Sequence, residues 1–452
     1  MRFLFFIFIA VGLIFTFLVP PFQKPDEETH FIRSLMISRG VIICPKNNPS
    51  TLRVQKDIPQ MINDIKSLKL PQNRFNKFDV KLFEKPFFIN NQYVDMPVPS
   101  VLCGFPTIPY IPQSIGLYIS NLLHINTYVS FYIGRLSMLI FAIIIFVFTF
   151  KRIEKSISNI FIAVLSLPVT IHQLTSYNYD AMLILFSICI FALIFTKKLS
   201  IILLFIFYLI LILCKGGGYE LFLLTYFLIP YTKIDKDLNK YLKKTILFFV
   251  LLFIVLFFIK YIEFSALQKA NIYNSIINPF DQIQFIFTHF GSFVITLFST
   301  TIHRSIFYLQ SLIGIFGWLE YGIPHHVYIV YLLLFLLFII HSTKNFIPLT
   351  KIQRIILYTF IIGSYLFIST ILYLVYTPIG SSQILGIQGR YFLPFVPFIL
   401  ILVLEVHSIK RLQPFMEQMK KITLFLQEDI YVKLISIYIA SQIISSIIQR
   451  YY

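Results

Sequence analysis

Charge is scarce in this sequence. Only 13% of its 452 residues are Asp, Glu, Lys or Arg, about half the share in a soluble domain. So few ionic groups cannot keep a 57% hydrophobic composition in water, which excludes soluble, disordered and fibrous classes. Acid is the scarcer sign. Twenty Asp and Glu face 38 Lys and Arg, for a net charge of +18. In a soluble protein that balance would suggest nucleic acid. Here no basic stripe with interleaved aromatics lies outside the apolar segments, so no nucleic-acid partner is expected. Cysteine is limited to four residues, without the CxxC or Cys/His spacing of a zinc site. Cys189 and Cys214 fall in apolar runs. Cys44 and Cys103 fall in one polar stretch, where an oxidising compartment would allow a single bridge.

Long continuous apolar runs are what the chain has instead, with a mean hydropathy of +0.79. They do not alternate, which excludes a transmembrane β-barrel. The expected fold class is an all-α integral membrane protein. It is a polytopic bundle of about 11–13 helices, each near the ~20 residues needed to cross. Residues 1–452 read as one membrane domain. Within it, 21–108 form a structured first extracytoplasmic loop, with short helices near 26–39 and 58–69. A C-terminal segment, 408–452, carries a final candidate span at 430–448. Phe3 to Val19 is followed by Val19-Pro20-Pro21 rather than a small-x-small cleavage site, so it reads as an uncleaved first helix. Further spans are expected at 127–150, 157–175, 181–196, 199–214, 218–231, 245–262, 281–300, 305–320, 326–341, 355–376 and 391–407. The short apolar stretch 112–124 reads as a helix at the surface.

Basic residues orient this arrangement. The turns at 151–155, 197–198, 233–244, 304, 344–354 and 410–421 hold eighteen Lys and Arg, whereas the short turns of the other side hold only Lys215, Lys269 and Arg390. Cytoplasmic turns collect Lys and Arg, so the first set is assigned inside. The twelve Lys and Arg of 21–108 do not oppose this, because the rule weakens in loops beyond ~60 residues.

Ionisable groups beside hydrocarbon are functional candidates, and here they gather at one end of the spans. Asp26, Glu27, Glu28, His30 and Arg33 follow the first helix. Asp180 begins a span after Tyr177-Asn178-Tyr179. Lys215 and Glu220 flank Gly216-Gly217-Gly218, Glu320 and His325-His326 sit between spans, and Arg390 opens another. Arg135 is the exception among these, about one-third of the way into its span. Each has a plainer reading. Asp180 could cap a helix, and the three glycines could form a turn, since the GK[ST] of a phosphate loop is missing. Adjacent histidines on a helix face different ways. The first cluster is harder to reduce to structure. Asp26 and His30, four residues apart on a helix, would share a face, where a carboxylate beside His or Arg can act as general base. Against this stands acid placed to complement a helix N-terminus.

The order of these residues resembles a family of bacterial polytopic membrane proteins known as a domain of unknown function and grouped with glycosyltransferases of the C superfamily. The resemblance is carried by Pro25-Asp26-Glu27, then His30-Phe31 and Arg33, and by Ile37-Ser38-Arg39-Gly40. It continues through Tyr110-Ile111-Pro112-Gln113, Gly134-Arg135-Leu136, Ser176 to Asp180, Lys215, Gly317-Trp318 and Gln388-Gly389-Arg390-Tyr391. It runs from about residue 20 to 400. Gly216-Gly217 departs from it, and nothing after about 408 matches.

The resemblance implies a polyprenyl-phosphate-linked sugar as donor, transfer on the outer face, and an acidic residue of the first loop that assists the acceptor. Asp26 takes that place, with Glu27 beside it. His30, Arg33, Asp180, Lys215, Gln388 and Arg390 are the expected substrate-binding residues, with the cations available to the lipid phosphate. Asp26 and Glu27 could also ligate Mg²⁺ or Mn²⁺, although two carboxylates do not select a metal. The function expected is therefore an inverting membrane glycosyltransferase in the bacterial cytoplasmic membrane. Its partners would be the lipid bilayer, the lipid-linked donor, and a surface glycan or lipid-linked acceptor. A transporter or flippase of lipid-linked sugars would place charge near the midplane on broken helices, often in two related halves; neither feature is evident in the sequence. A non-catalytic scaffold of polysaccharide assembly would not need the acidic cluster.

Overall fold

The computed structural model of the protein describes residues 2–42, 51–84, 92–99, 102, 104–153, 155–196, 199–267, 277–342, 349–407 and 429–452. The Cys44–Cys103 bridge, Lys197, Lys198, Lys269, Lys344 and the basic residues of 410–421 lie outside them.

The chain opens with α1 (Arg2–Leu18) and turns at Pro20-Pro21 into α2 (Glu27–Ser38). Strand β1 (Thr51–Gln55) leads to α3 (Asp57–Ser67), and β1 pairs antiparallel with β2 (Tyr93–Pro97). These elements make the structured loop, and both of its expected helices are present. Apolar residues recur at helical spacing in α3, so Ile58, Met61, Ile62 and Ile65 are buried.

Helix α4 (Ile111–Leu122) packs on α5 (Thr127–Phe150) and leaves Ile115, Tyr118 and Ile119 exposed. That fits the reading of a short surface helix. Asn126 starts α5 by accepting from the Val129 N–H. The expected 157–175 span is two helices, α6 (Lys155–Leu165) and α7 (Pro168–Leu174), because Pro168 cannot donate into a continuing helix. Then come α8 (Asp180–Ile194), α9 (Ile201–Cys214), a 3₁₀ segment Tyr219–Leu228, the short α10 (Tyr231–Ile234) and α11 (Leu238–Leu267). They are followed by α12 (Pro279–Thr288) and α13 (Phe290–Ile313), a small hairpin of β3 (Ile315–Phe316) and β4 (Tyr321–Gly322), and α14 (His325–Ser342). Helix α15 (Lys351–Val375) begins with a capping box between Thr350 and Gln353. A 3₁₀ segment Gly389–Phe395 leads into α16 (Val396–His407), and the C-terminal helix covers Asp429–Tyr451.

Among the described residues three helices, Thr127–Phe150, Leu238–Ile259 and Lys351–Val375, are long and apolar enough to cross a membrane. Six shorter apolar helices accompany them. The protein is thus an all-α membrane protein, but its spans are less uniform than the expected set. Helix α8 is buried on every side. At 15 residues it is roughly 22 Å long, shorter than the ~30 Å hydrocarbon core, which is tolerable because protein surrounds it.

Hydrogen bonds define the two ends of the bundle. At the loop end the Thr127 N–H donates to Asp57, Tyr451 O–H to the Gln23 carbonyl, and Gly389 N–H to Ser311. At the other end Thr196 donates to the Arg152 carbonyl, Lys233 to the Thr196 carbonyl and Gln353 to the Leu228 carbonyl. The basic residues of 151–152, 233–244 and 351–354 therefore share one end.

One pair of expected spans is corrected. The expected turn between 281–300 and 305–320 falls inside one continuous helix, α13, and the chain instead bends by 105° at His289, between α12 and α13. Gln282, Thr300 and Ser311 all bond to the 373–389 segment, which keeps the pair at the loop end. Arg304 therefore lies in no turn of the basic end. With the Gln383 amide oriented to present its oxygen, Arg304 Nε donates to it at 2.8 Å.

Arg135 and Glu27 join the two halves of this frame. Both side chains are fully buried, and the guanidinium meets the carboxylate in a fork at 2.8 and 2.6 Å. The remaining Arg135 donors go to the carbonyls of Thr16, Val19 and Pro20. Removing one member of such a pair leaves an uncompensated buried charge. Glu27→Gln should cost about 3–5 kcal/mol, read as a lower melting temperature of the protein in detergent. The double variant Glu27→Met/Arg135→Met should recover much of that loss. A double variant less stable than Glu27→Gln would show that the pair is not what is lost.

Candidate functional site

Three expected residues from distant parts of the chain come together at the loop end. Asp180 begins α8, Lys215 follows α9, and Arg390 begins the second 3₁₀ segment. Lys215 Nζ lies 2.9 Å from one Asp180 oxygen, and Arg390 Nε lies 3.9 Å from the other. The Asp180 and Arg390 side chains are almost buried, while Lys215 keeps 21% exposure.

Local sequence explains how Asp180 is held. Asn178 accepts from the Ala181 N–H and donates to the Gln173 carbonyl, which fixes the turn entering α8. The Tyr177 N–H donates to Glu27, and its hydroxyl donates to the Phe131 carbonyl. Lys24 is buried and donates to the carbonyls of His172 and Thr175 on the same segment. Gly216 to Gly218 form a turn rather than a phosphate cradle. Gly217 and Gly218 have φ of 80° and 107°, which suits glycine, and the Gly218 N–H is taken by Glu220. Gly389 is required by close approach, since a Cβ there would meet the Tyr308 carbonyl and the Leu312 nitrogen.

Tyrosines surround the cations. Lys215 Nζ lies 4.4 Å from the Tyr391 ring centre, 4.6 Å from Tyr179 and 5.5 Å from Tyr219. Cations are attracted to such ring faces. This belt was not among the expected site residues; Tyr179 and Tyr391 each adjoin a charged site residue in sequence.

His30 borders the same group. Its Nδ1 is 2.7 Å from the Tyr110 hydroxyl, and its ring packs against Phe105, Tyr110 and Tyr179. Burial pushes the imidazole down to about 3, with the Asp180 charge opposing the shift, so His30 is neutral at physiological pH.

A small cavity lies between Arg390 and the turn at Pro25; neither Asp26 nor Lys215 lines it. Pro25, His172, Gln388 and Arg390 line it, and at about 10 Å³ it has room for roughly one water. Gln388 Oε1, Arg390 Nε and both His172 ring nitrogens are buried there without a hydrogen-bond partner among the described residues. Asp26 follows Pro25. It is exposed, takes a left-handed φ of 57°, and makes no capping hydrogen bond. Asp26 therefore stands at the N-terminus of α2 without capping it. Asp26 and His30 also differ in surroundings, one exposed and one buried, despite their four-residue spacing.

Two expected site residues are placed elsewhere. Both Glu27 oxygens are occupied by Arg135, so Glu27 cannot serve as base or metal ligand without breaking a buried ion pair. Arg33 donates to the carbonyls of Phe105, Val41 and Ile42 and to Thr107, closing the loop at 41–42 onto 105–107. Arg33 thus holds the loop rather than facing the Asp180 group. A two-carboxylate Mg²⁺ or Mn²⁺ site at Asp26 and Glu27 does not fit this arrangement. No group of three His, Cys, Asp or Glu suited to a metal occurs among the described residues. Two other polar residues singled out between spans have partners of their own. Glu320 meets Arg450 at 2.7 Å, and His326 Nε2 meets the Tyr438 hydroxyl at 2.6 Å.

The neutral, buried His30 gives a pH signature. Its imidazole titrates near 6.5 when unfolded and near 3 when folded. Stability from this group is complete above 6.5 and is lost as pH falls from 6.5 towards 3, because the unfolded state binds the proton first. Melting temperatures across that range should fall more steeply for the wild type than for His30→Gln. Parallel slopes would exclude His30 as the cause.

No curated protein and no solved structure matches the chain. Residues 8–399 match the family described as predicted membrane protein (DUF2142), a span that takes in the loop, the charged group and most of the bundle. The chain belongs to that family of membrane proteins.

Proposed function

We propose that this protein is a membrane glycosyltransferase that moves a sugar from a polyprenyl-phosphate-linked donor to a surface glycan or lipid-linked acceptor. The observation that supports this reading best is the meeting of Asp180, Lys215 and Arg390 beside the loop that carries Asp26. One carboxylate faces two cations, and His30 is neutral, so the group holds one excess positive charge in a poorly hydrated place. A lipid phosphate is the complement. Arg offers a planar fork to phosphate and Lys a compact charge.

In the proposed step an acceptor hydroxyl oxygen bonds to the anomeric carbon while the bond from that carbon to the phosphate oxygen breaks. The electron pair leaves with the lipid phosphate, where Lys215 and Arg390 would stabilise it. The hydroxyl proton passes to Asp26, an exposed carboxylate free of hydrogen bonds to other described side chains. The loop end would face outward across the bacterial cytoplasmic membrane, since the basic residues share the opposite end.

A transport reading draws on one feature, the 105° break between α12 and α13, because transporters use broken helices. That break lies at His289, at the far end of α13 from Ser311, which contacts Gly389. It is thus remote from the charged group.

Asp26→Asn should lower transfer of labelled sugar from a polyprenyl-linked donor by about 10²–10⁴ while expression and melting temperature stay at wild-type values. Wild-type transfer in Asp26→Asn would sink the catalytic role. Orientation is tested separately in a background lacking the native cysteines. Gln72→Cys should react with an impermeant thiol reagent in intact cells and Asn239→Cys only after lysis; the reverse pattern would invert the topology.

A further inference from the structure

A second cavity lies far from the charged group, at the basic end of the bundle. It has a volume of about 400 Å³, within the range of small-molecule sites. Helices α1, α5, α6, α14 and the C-terminal helix enclose it, contributing Phe8, Phe146, Phe161, Leu334 and Ile443 to its wall. Phe146 is eleven residues along α5 from Arg135, roughly 16 Å, so the cavity and the Arg135–Glu27 pair occupy different levels. The polar groups of Ser166 and Tyr331 on its wall are bonded within the protein: Ser166 donates to the Ala163 carbonyl, and Tyr331 to the Ser166 carbonyl. Among the described lining residues the other polar side chains are Ser436 and Lys151, and the rest are apolar, a poor match to a sugar or a hydrated ion.

Lys151 stands at the rim with its side chain exposed, and it makes no ion pair among the described residues. Arg152 is next to it, its guanidinium 3.6 Å from the Phe148 ring centre. The site thus combines an apolar chamber with a cation at its mouth. An empty apolar void is disfavoured in proportion to its volume, and native interiors are close-packed. Another helix, with side chains ≈ 10–12 Å across, would not fit; a single flexible hydrocarbon chain would.

We propose that this chamber holds one acyl chain of an anionic glycerophospholipid of the surrounding bilayer, with the lipid phosphate against Lys151. Two observations carry the assignment: the apolar wall accepts the chain, and the exposed Lys151 ammonium, without an ion pair among the described residues, complements the headgroup. Basic residues at a membrane end attract anionic lipid in this way. The proposal is independent of sugar transfer at the other end.

The test uses the full-length protein in an uncharged detergent, with lipid retention measured by native mass spectrometry. The probes are phosphatidylglycerol and phosphatidylcholine with identical chains. The wild type should retain one phosphatidylglycerol in preference to phosphatidylcholine. Lys151→Gln should weaken phosphatidylglycerol retention about fivefold, the factor of one basic residue near an anionic surface, and leave phosphatidylcholine unchanged. Ala440→Phe, which puts a ring into the chamber, should weaken both. If Ala440→Phe fails to fold, Lys151→Gln decides alone. Wild-type preference in Lys151→Gln would overturn the proposal. So would one-for-one displacement of phosphatidylglycerol by a polyprenyl phosphate at lower concentration, which would give the chamber to an isoprenoid.

Discussion

The guanidinium of Arg135 and the carboxylate of Glu27 meet where no water reaches, and the loop end of the bundle is arranged around them. Each ion alone would be several kcal/mol out of place. Together they satisfy one another, and Arg135 also takes up the carbonyls that end α1. Thr16 lies in the last turn of α1, where carbonyls have no partner within the helix, and Val19 and Pro20 follow it, so a single side chain closes α1, positions α2 and anchors α5. Glu27 also accepts from the Tyr177 N–H, which brings the segment before Asp180 to the same point. The charged group that could bind phosphate is therefore built on a structural ion pair one layer beneath it.

Much of this was legible as composition and little of it as pairing. Charges beside hydrocarbon are rare enough that Asp180, Lys215 and Arg390 could be singled out, and such charges need partners. Which partner each takes depends on tertiary approach, which residue order does not encode. Glu27 and Arg33 stood in the same acidic and basic cluster as Asp26, yet one is matched to Arg135 and the other to backbone carbonyls. The α2 and α3 helices of the loop could be read from their apolar spacing. The 281–320 region could not, because two apolar runs of spanning length look the same whether they cross or lie bent at one end. Only the hydrogen bonds of Gln282, Thr300 and Ser311 to the 373–389 segment distinguish the two.

The two ends of the molecule also differ in chemistry. At the loop end, polar groups of Arg390, Gln388 and His172 are buried without a hydrogen-bond partner among the described residues, a setting that favours a ligand able to supply those bonds. At the basic end, the cavity wall is mostly apolar, Ser166 and Tyr331 are bonded within the protein, and Lys151 stands exposed at the rim. The first arrangement suits a charged, hydrogen-bonding ligand and the second a hydrocarbon. The apolar wall and the ammonium of Lys151 at its rim are what match the second cavity to the acyl chain and phosphate of a bilayer lipid.

Asp26 and Glu27 show how one peptide unit separates two carboxylates of similar chemistry. A left-handed φ at Asp26 is costly for a residue with a Cβ, although Asp is among the least penalised. It reverses the chain between Pro25 and α2, so that Glu27 enters the interior and Asp26 remains in solvent. Had the chain entered α2 with ordinary backbone angles, Asp26 could have capped the helix, and its oxygens would have been engaged by backbone N–H groups. The strained turn leaves them unengaged. Strain held at a single residue beside a charged pocket is a reason to look for function there. In this protein it leaves one of two neighbouring acids available for chemistry while the other holds the fold.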